Sequence, residues 1–240
     1  MHEYAVTDAL TVSFQRYPYP PPGWVETLPR SRGALPLALA APGHLLLACP
    51  VGEAFWIGLV PARREERSSQ VGVVARLASG ERVDLATGTA LVPGTDPAGG
   101  VESGSGLPRP AFAVPPRFAV EGIARQDGGW WALALGASGP EAPACVGLEL
   151  AVWTGPAAAP VPGGPGGPRP FRDPADRIDP ARSTGPTVGP PSPPGTELPS
   201  GPPVLVRVEL VDAAGFEAAT GGLVPDPAGD DATYGGWRLP

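Results

Sequence analysis

Between Phe112 and Trp153 three apolar runs lie close together, and their spacing constrains the fold more than any other feature. Phe118 to Ala124 and Trp130 to Leu135 flank Arg125-Gln126-Asp127-Gly128-Gly129, the pattern of a β-hairpin with a glycine-assisted turn. The third run, Cys145 to Trp153, alternates Val146, Leu148, Leu150 and Val152 with Gly147, Glu149 and Ala151. A period of two with one apolar face predicts a strand whose register is set by burial, and its position in the chain predicts that it neighbours the hairpin.

More strand material precedes this stretch. Tyr4, Val6, Leu10, Val12 and Phe14 share one parity, with Thr7, Thr11, Ser13 and Gln15 on the other, which predicts one half-buried strand or two short ones. Ala34 to Ala40 and His44 to Cys49 read as buried strands joined at Pro42-Gly43. His44 then falls at a turn, as a surface or capping residue. Val51 to Val60 is apolar on both faces, so it is expected at the centre of a sheet. Arg63 to Arg67 is a charged loop of mixed sign, Val71 to Leu77 and Arg82 to Leu85 are strands joined at Ser79-Gly80, and positions 94–110 form a long loop.

Downstream the composition changes. Glycine and proline number 34 and 36 in the 240 residues, and they are densest in residues 155–202. Such a segment buries too little apolar surface to offset the entropy of ordering it, so it reads as a Pro/Gly-rich tether or surface loop. Val204 to Val211 is a strong strand pattern after it, and Phe216 to Thr220 reads as a second strand following Asp212-Ala-Ala-Gly215. The expected architecture is therefore all-β. A two-sheet sandwich or barrel-like domain spans 1–154, a tether 155–202, and a C-terminal β-hairpin with an acidic tail 203–240. A lone hairpin is marginal in water. It must complete a sheet, either of its own chain or of a partner by strand addition.

Two stretches invite a functional reading. Tyr17-Pro-Tyr-Pro-Pro-Pro-Gly-Trp24 stops the first strands. Its rings either cover an open end of the core or present a ligand to a proline-reading groove. In the hairpin, strand parity sets Trp131, Leu133 and Leu135 on a core face and Trp130, Ala132 and Ala134 on the other. Trp130 over two alanines reads as a stacking platform, or as a place where another layer approaches closely. The candidate binding surface is accordingly Trp130, Glu121, Asp127, Tyr17, Tyr19 and Trp24.

Several chemistries find no support in the sequence. All seventeen basic residues are arginine, and the net charge of −7 argues against nucleic acid as a partner. With Cys49, Cys145, His2 and His44 as the only soft ligands, no metal-ligand spacing is present, and no cofactor motif is found. The cysteines read as free buried thiols or one intersheet bridge. No Gly-x-Ser-x-Gly elbow, HExxH or phosphate-binding loop occurs. Paired acids remain as a route to glycoside chemistry, with Glu53, Glu121, Asp127 and Glu149 on or beside strands. Leu46-Leu47-Ala48-Cys49 is close to a lipoprotein cleavage box, yet it lies far from Met1 and prolines interrupt the apolar run. The expectation is coincidence, no membrane span and a cytoplasmic protein.

Glu53-Ala54-Phe55-Trp56, Val71 to Leu85, Phe112-Ala-Val-Pro115, Phe118 to Ile123 and Arg125-Gln126 together resemble an uncharacterised family of bacterial all-β proteins over about residues 53–153. Asp127-Gly128 departs from the family's pattern, in which Arg-Gln is followed by Phe. The resemblance implies a fold and no activity. Two functional readings follow from the sequence. The first is a non-catalytic structural or protein-interaction module, a component of a larger bacterial assembly that pairs or self-associates through sheet edges. The second is a carbohydrate-binding or glycoside-processing module built on Trp130 and the acids near the turn.

Overall fold

A computed structural model describes residues 1–61, 67–91, 107–115, 117–136, 142–156 and 201–225. The charged loop after Val60, most of the 94–110 loop, the tether and the acidic tail lie outside the described residues. In chain order the elements are β1 (Glu3–Ala5), β2 (Leu10–Pro18), β3 (Trp24–Val25), β4 (Leu37–Ala41), β5 (His44–Ala48), β6 (Glu53–Pro61) and β7 (Arg67–Leu77). They continue with β8 (Arg82–Asp84), β9 (Phe112–Val114), β10 (Ala119–Val120), β11 (Ile123–Ala124), β12 (Trp130–Trp131), β13 (Cys145–Pro156), β14 (Val204–Val211) and helix α1 (Ala213–Thr220).

The alternating apolar residues sort these strands into two main layers. One sheet has the order β1-β2-β6-β10, and the larger has β4-β5-β14-β13-β7-β8, with β9 on a separate stretch of β7. Phe14, Phe55, Ile57 and Leu59 of the first sheet share one apolar cluster with Leu45, Leu47, Val73, Leu148, Leu150 and Val208 of the second. Phe14 and Phe55 meet edge-on, with ring centroids 5.7 Å apart, the arrangement that aromatic quadrupoles favour. The fold is all-β and sandwich-like, and among the described residues the sheets do not close into a barrel. As its two apolar faces predict, β6 is internal to its sheet, between β2 and β10.

The third sheet, β11-β12-β3, holds the expected hairpin, with Ile123 opposite Trp131 and Ala124 opposite Trp130. Two expectations change here. The run Phe118 to Ala124 is not one strand, because β10 pairs with β6 while β11 pairs with β12. Glu121-Gly122 carries the chain from one sheet to the other. Nor does β13 neighbour the hairpin; it lies between β7 and β14. Its twelve residues pair along all eleven of β7, and that long antiparallel ladder outcompetes pairing with a two-residue strand.

At the C-terminus β14 enters the large sheet of its own chain, antiparallel to β13 and parallel to β5. Val206, Val208 and Leu210 are buried, while Arg207 and Glu209 point outward. The second strand of the expected hairpin is instead helix α1. Asp212 caps it by accepting the Gly215 N–H at 2.7 Å, and Gly221 ends it in the left-handed region at φ 69°. With alanines between those caps, helix propensity wins over the short apolar pattern. Phe216 is the residue that α1 buries.

The position of β14 makes a direct prediction. A chain ending at Gly155 lacks β14, so β5 and β13 are left with open edges and the core cluster loses Val206, Val208 and Leu210. It is expected to lose its cooperative thermal transition, followed by circular dichroism. A truncated chain that melts cooperatively at the temperature of the full chain refutes this role for β14.

Candidate binding site

The second face of β2 is where the structure departs most from simple alternation. Ser13 and Gln15 were expected to face outward, yet both are buried. The segment after β3 runs along β2 and covers them. Arg16 N–H donates to Gly33 O at 2.9 Å, and Arg32 N–H to Arg16 O at 2.8 Å. The polar groups beneath are satisfied in series: Ser31 Oγ donates to Gln15 Oε1 at 2.8 Å, and Gln15 Nε2 to Ser13 Oγ at 3.0 Å. A buried polar network of this kind is tolerated because its members are paired.

Between this segment and the aromatic-proline loop lies a cavity of about 410 Å³. Tyr17, Tyr19 and Val25 with Pro20, Pro21 and Pro29 form its apolar walls, and Arg30, Ser31 and Arg32 its polar side. Prolines fix the backbone of the loop, and Gly23 closes it at φ 79°. A side chain at Gly23 would meet Ala142 Cβ at 2.8 Å and the Tyr19 hydroxyl at 2.9 Å. Trp56 buttresses the far wall by donating its indole N–H to Pro29 O at 3.2 Å. The loop's two tyrosines join a small apolar cluster separate from the main core. Tyr17 packs with Ala54, Ala132 and Ala134, and Tyr19, Val25 and Trp56 pack against that small cluster.

Tyr17 is 3% exposed, and its hydroxyl has no hydrogen-bond partner. Burial, and secondarily the nearby Tyr19, push that phenol well above its usual range. An unpartnered buried hydroxyl costs roughly 1–3 kcal/mol. Beside it, Arg16 lies 3.7 Å from Glu53 Oε2 and donates through Nη1 to Pro225 O at 2.9 Å. Burial raises the Glu53 carboxyl above the ordinary range, outweighing the lowering by the Arg16 and Arg32 guanidinium groups.

The other candidate residues fall in different places. Trp24 and Trp131, paired across β3 and β12, enclose the Arg125 guanidinium, 4.3 Å from one ring centroid and 4.6 Å from the other. Arg125 also donates through Nε to Asp127 Oδ1 at 2.8 Å, with a second bond from Nη2 to Oδ2. Those bonds hold the exposed Asp127 carboxyl below its usual range. Trp130 is half-buried opposite Val25, and its alanine neighbours lie under Tyr17 rather than forming an open floor. Glu121 is buried away from the turn and accepts Arg117 Nη2 at 2.5 Å. Arg117 also donates to Ala119 O at 2.8 Å and stacks on Phe112. Of the six candidates, Tyr17 and Tyr19 line one cavity, Trp24 and Trp130 stand on the adjoining small sheet, and Glu121 and Asp127 are held apart by separate arginines.

Sequence reading missed Arg16, Pro29, Ser31 and the two flanking arginines as parts of a site. The only local signal was three arginines within seventeen residues of a tyrosine-proline loop. Cys49 and Cys145 are free and buried, with burial pushing each thiol up to about 12. Among the described residues, no group of three or more His, Cys, Asp or Glu could hold a metal ion, and no helix is long and apolar enough to cross a membrane. Comparison of the chain with protein-family models, curated proteins and solved structures returns no match.

Two measurements check this account. Tyr17→Phe removes an unpartnered hydroxyl and keeps the ring, so unfolding free energy by denaturant titration should rise by about 1 kcal/mol. A fall would mean that the hydroxyl has a protein partner. For Glu53, a raised native pKa adds stability at low pH that is lost as pH climbs through the native value. The stability of the wild type relative to Glu53→Gln should therefore decline from acid toward neutral pH. An advantage that grows with pH would show that the ion pairs, rather than burial, dominate.

Proposed function

We propose that this protein is a non-catalytic interaction module that engages a protein partner through the cavity under Tyr17 and Tyr19. The carrying observation is the cavity itself. Its walls are proline-braced aromatic rings, its volume lies within the range of about 300–1,000 Å³ common for ligand sites, and its polar side carries positive charge. Rigid, flat, apolar walls lose little conformational entropy on binding, so they suit recognition. The carboxylates point the same way. Asp127, Glu121 and Glu149 are engaged by Arg125, Arg117 and Arg82. Glycoside hydrolysis by paired carboxylates needs one that is free to give and take a proton and a second placed across the bond. Side chains committed to guanidinium groups serve stability instead.

The test is site-directed cross-linking in the cell that makes the protein, with a photoreactive residue replacing Tyr19. A discrete, light-dependent adduct with one protein, suppressed by Arg32→Glu, is the expected result. The reading fails if no protein adduct forms, or if the adducts ignore the Arg32 substitution.

A further inference from the structure

We infer that the chain's own segment 226–240 occupies the cavity in cis, so that a partner must displace it. This rests on reading the cavity as the interaction surface and adds how access to it is controlled. Segment 226–240 lies outside the described residues, but the point from which it departs is fixed. Pro225 O accepts Arg16 Nη1 at 2.9 Å. Arg16 is 4% exposed and directly precedes Tyr17 of the cavity wall, and its main-chain O accepts the N–H of Arg32, another lining residue, at 2.8 Å. The bond to Pro225 therefore starts the segment beside the cavity. Trp237 is twelve residues beyond Pro225, and an extended chain advances about 3.3 Å per residue, so reach sets no limit.

Charge and shape favour this occupant. Asp226, Asp230 and Asp231 stand in the segment against one basic residue, Arg238. Around the cavity Arg16, Arg30 and Arg32 outnumber the acids Glu26 and Glu53. Arg30 and Arg32 have partners of their own. A guanidinium so engaged keeps its charge, so an acidic segment is still drawn toward it. Beyond the acids come Tyr234 and Trp237, whose flat rings match walls made of tyrosine and proline. A volume of about 410 Å³ suits one or two such side chains of an extended segment rather than the surface of a folded domain. Attachment to the same chain gives the segment a local concentration on the order of millimolar. A weak contact then suffices to fill the site, and a partner must outcompete it.

The purified full chain, with a photoreactive residue in place of Tyr19, tests the inference by illumination and mass spectrometry. The expected adducts are intramolecular, fall within 226–240 and keep their yield on dilution. Asp230→Arg together with Asp231→Arg should cut that yield severalfold and, in the cell, raise the yield of partner adduct. In the chain with Tyr19 intact, Trp237→Ala should shift the NMR signal of the Trp56 indole N–H, whose acceptor Pro29 O belongs to the cavity wall. The inference is overturned if no adduct falls within 226–240, if the adducts join two chains and fade on dilution, if the double substitution changes neither yield, or if the Trp56 signal stays in place. When such a failure coincides with a partner adduct at Tyr19 that still depends on Arg32, only the cis occupant falls. When the partner adduct is also absent, the interaction reading falls with it.

Discussion

The insertion of β14 between β13 and β5 is the constraint on which the rest of this structure depends. Strand β14 bonds to a strand on each side, antiparallel to one and parallel to the other. Its buried residues Val206 and Val208 join the common apolar cluster. Without it, β4 and β5 would form an isolated two-stranded ribbon beside an open β13. Parallel pairing gives no local hairpin to nucleate it, so β5 and β14 meet only when residues far apart in sequence close a large loop. The C-terminal region is thus part of the sheet, and it also brings Pro225 to Arg16 at the edge of the cavity.

From that frame the cavity follows. The seven-stranded and four-stranded layers use one face of β2 for the core. The other face is left to the segment 29–34, which lies along it and seals Ser13 and Gln15 with Ser31. Sealing a polar face with a polar strand leaves the tyrosines at the end of β2 pressed against Ala54, Ala132 and Ala134. Small residues at those three positions admit the rings. The same arrangement buries the Tyr17 hydroxyl without a partner, a local imperfection in packing beside the cavity.

Arginine takes an unusual share of the work in this chain, which has no lysine. Arg125 lies between Trp24 and Trp131 while holding Asp127, and Arg117 holds Glu121 while covering Phe112. Both uses rely on a planar, weakly hydrated cation that stacks and donates in a fork at once. They also explain why the acids near the hairpin, attractive as a catalytic pair in the sequence, stand apart in the structure: each is fixed by its own arginine.

Much of the fold was legible from periodicity. The strands β5, β6, β7, β13 and β14 follow from alternating or continuous apolar runs, because an amphipathic strand has only one way to bury its apolar face. Helix α1 was misread, although Asp212 and Gly221 carried its capping signals, because Phe216 to Thr220 is too short to show a helical period. The cavity was legible only as a tyrosine-proline loop. Its other wall comes from residues 29–32, and its Tyr17 is seated on Ala54, Ala132 and Ala134, the last of them more than a hundred residues further along the chain. The sequence by itself determined which residues prefer burial and where the chain turns. Only the tertiary structure decided which strands meet and which polar groups are left without partners, because those depend on contacts between distant segments that no local pattern encodes.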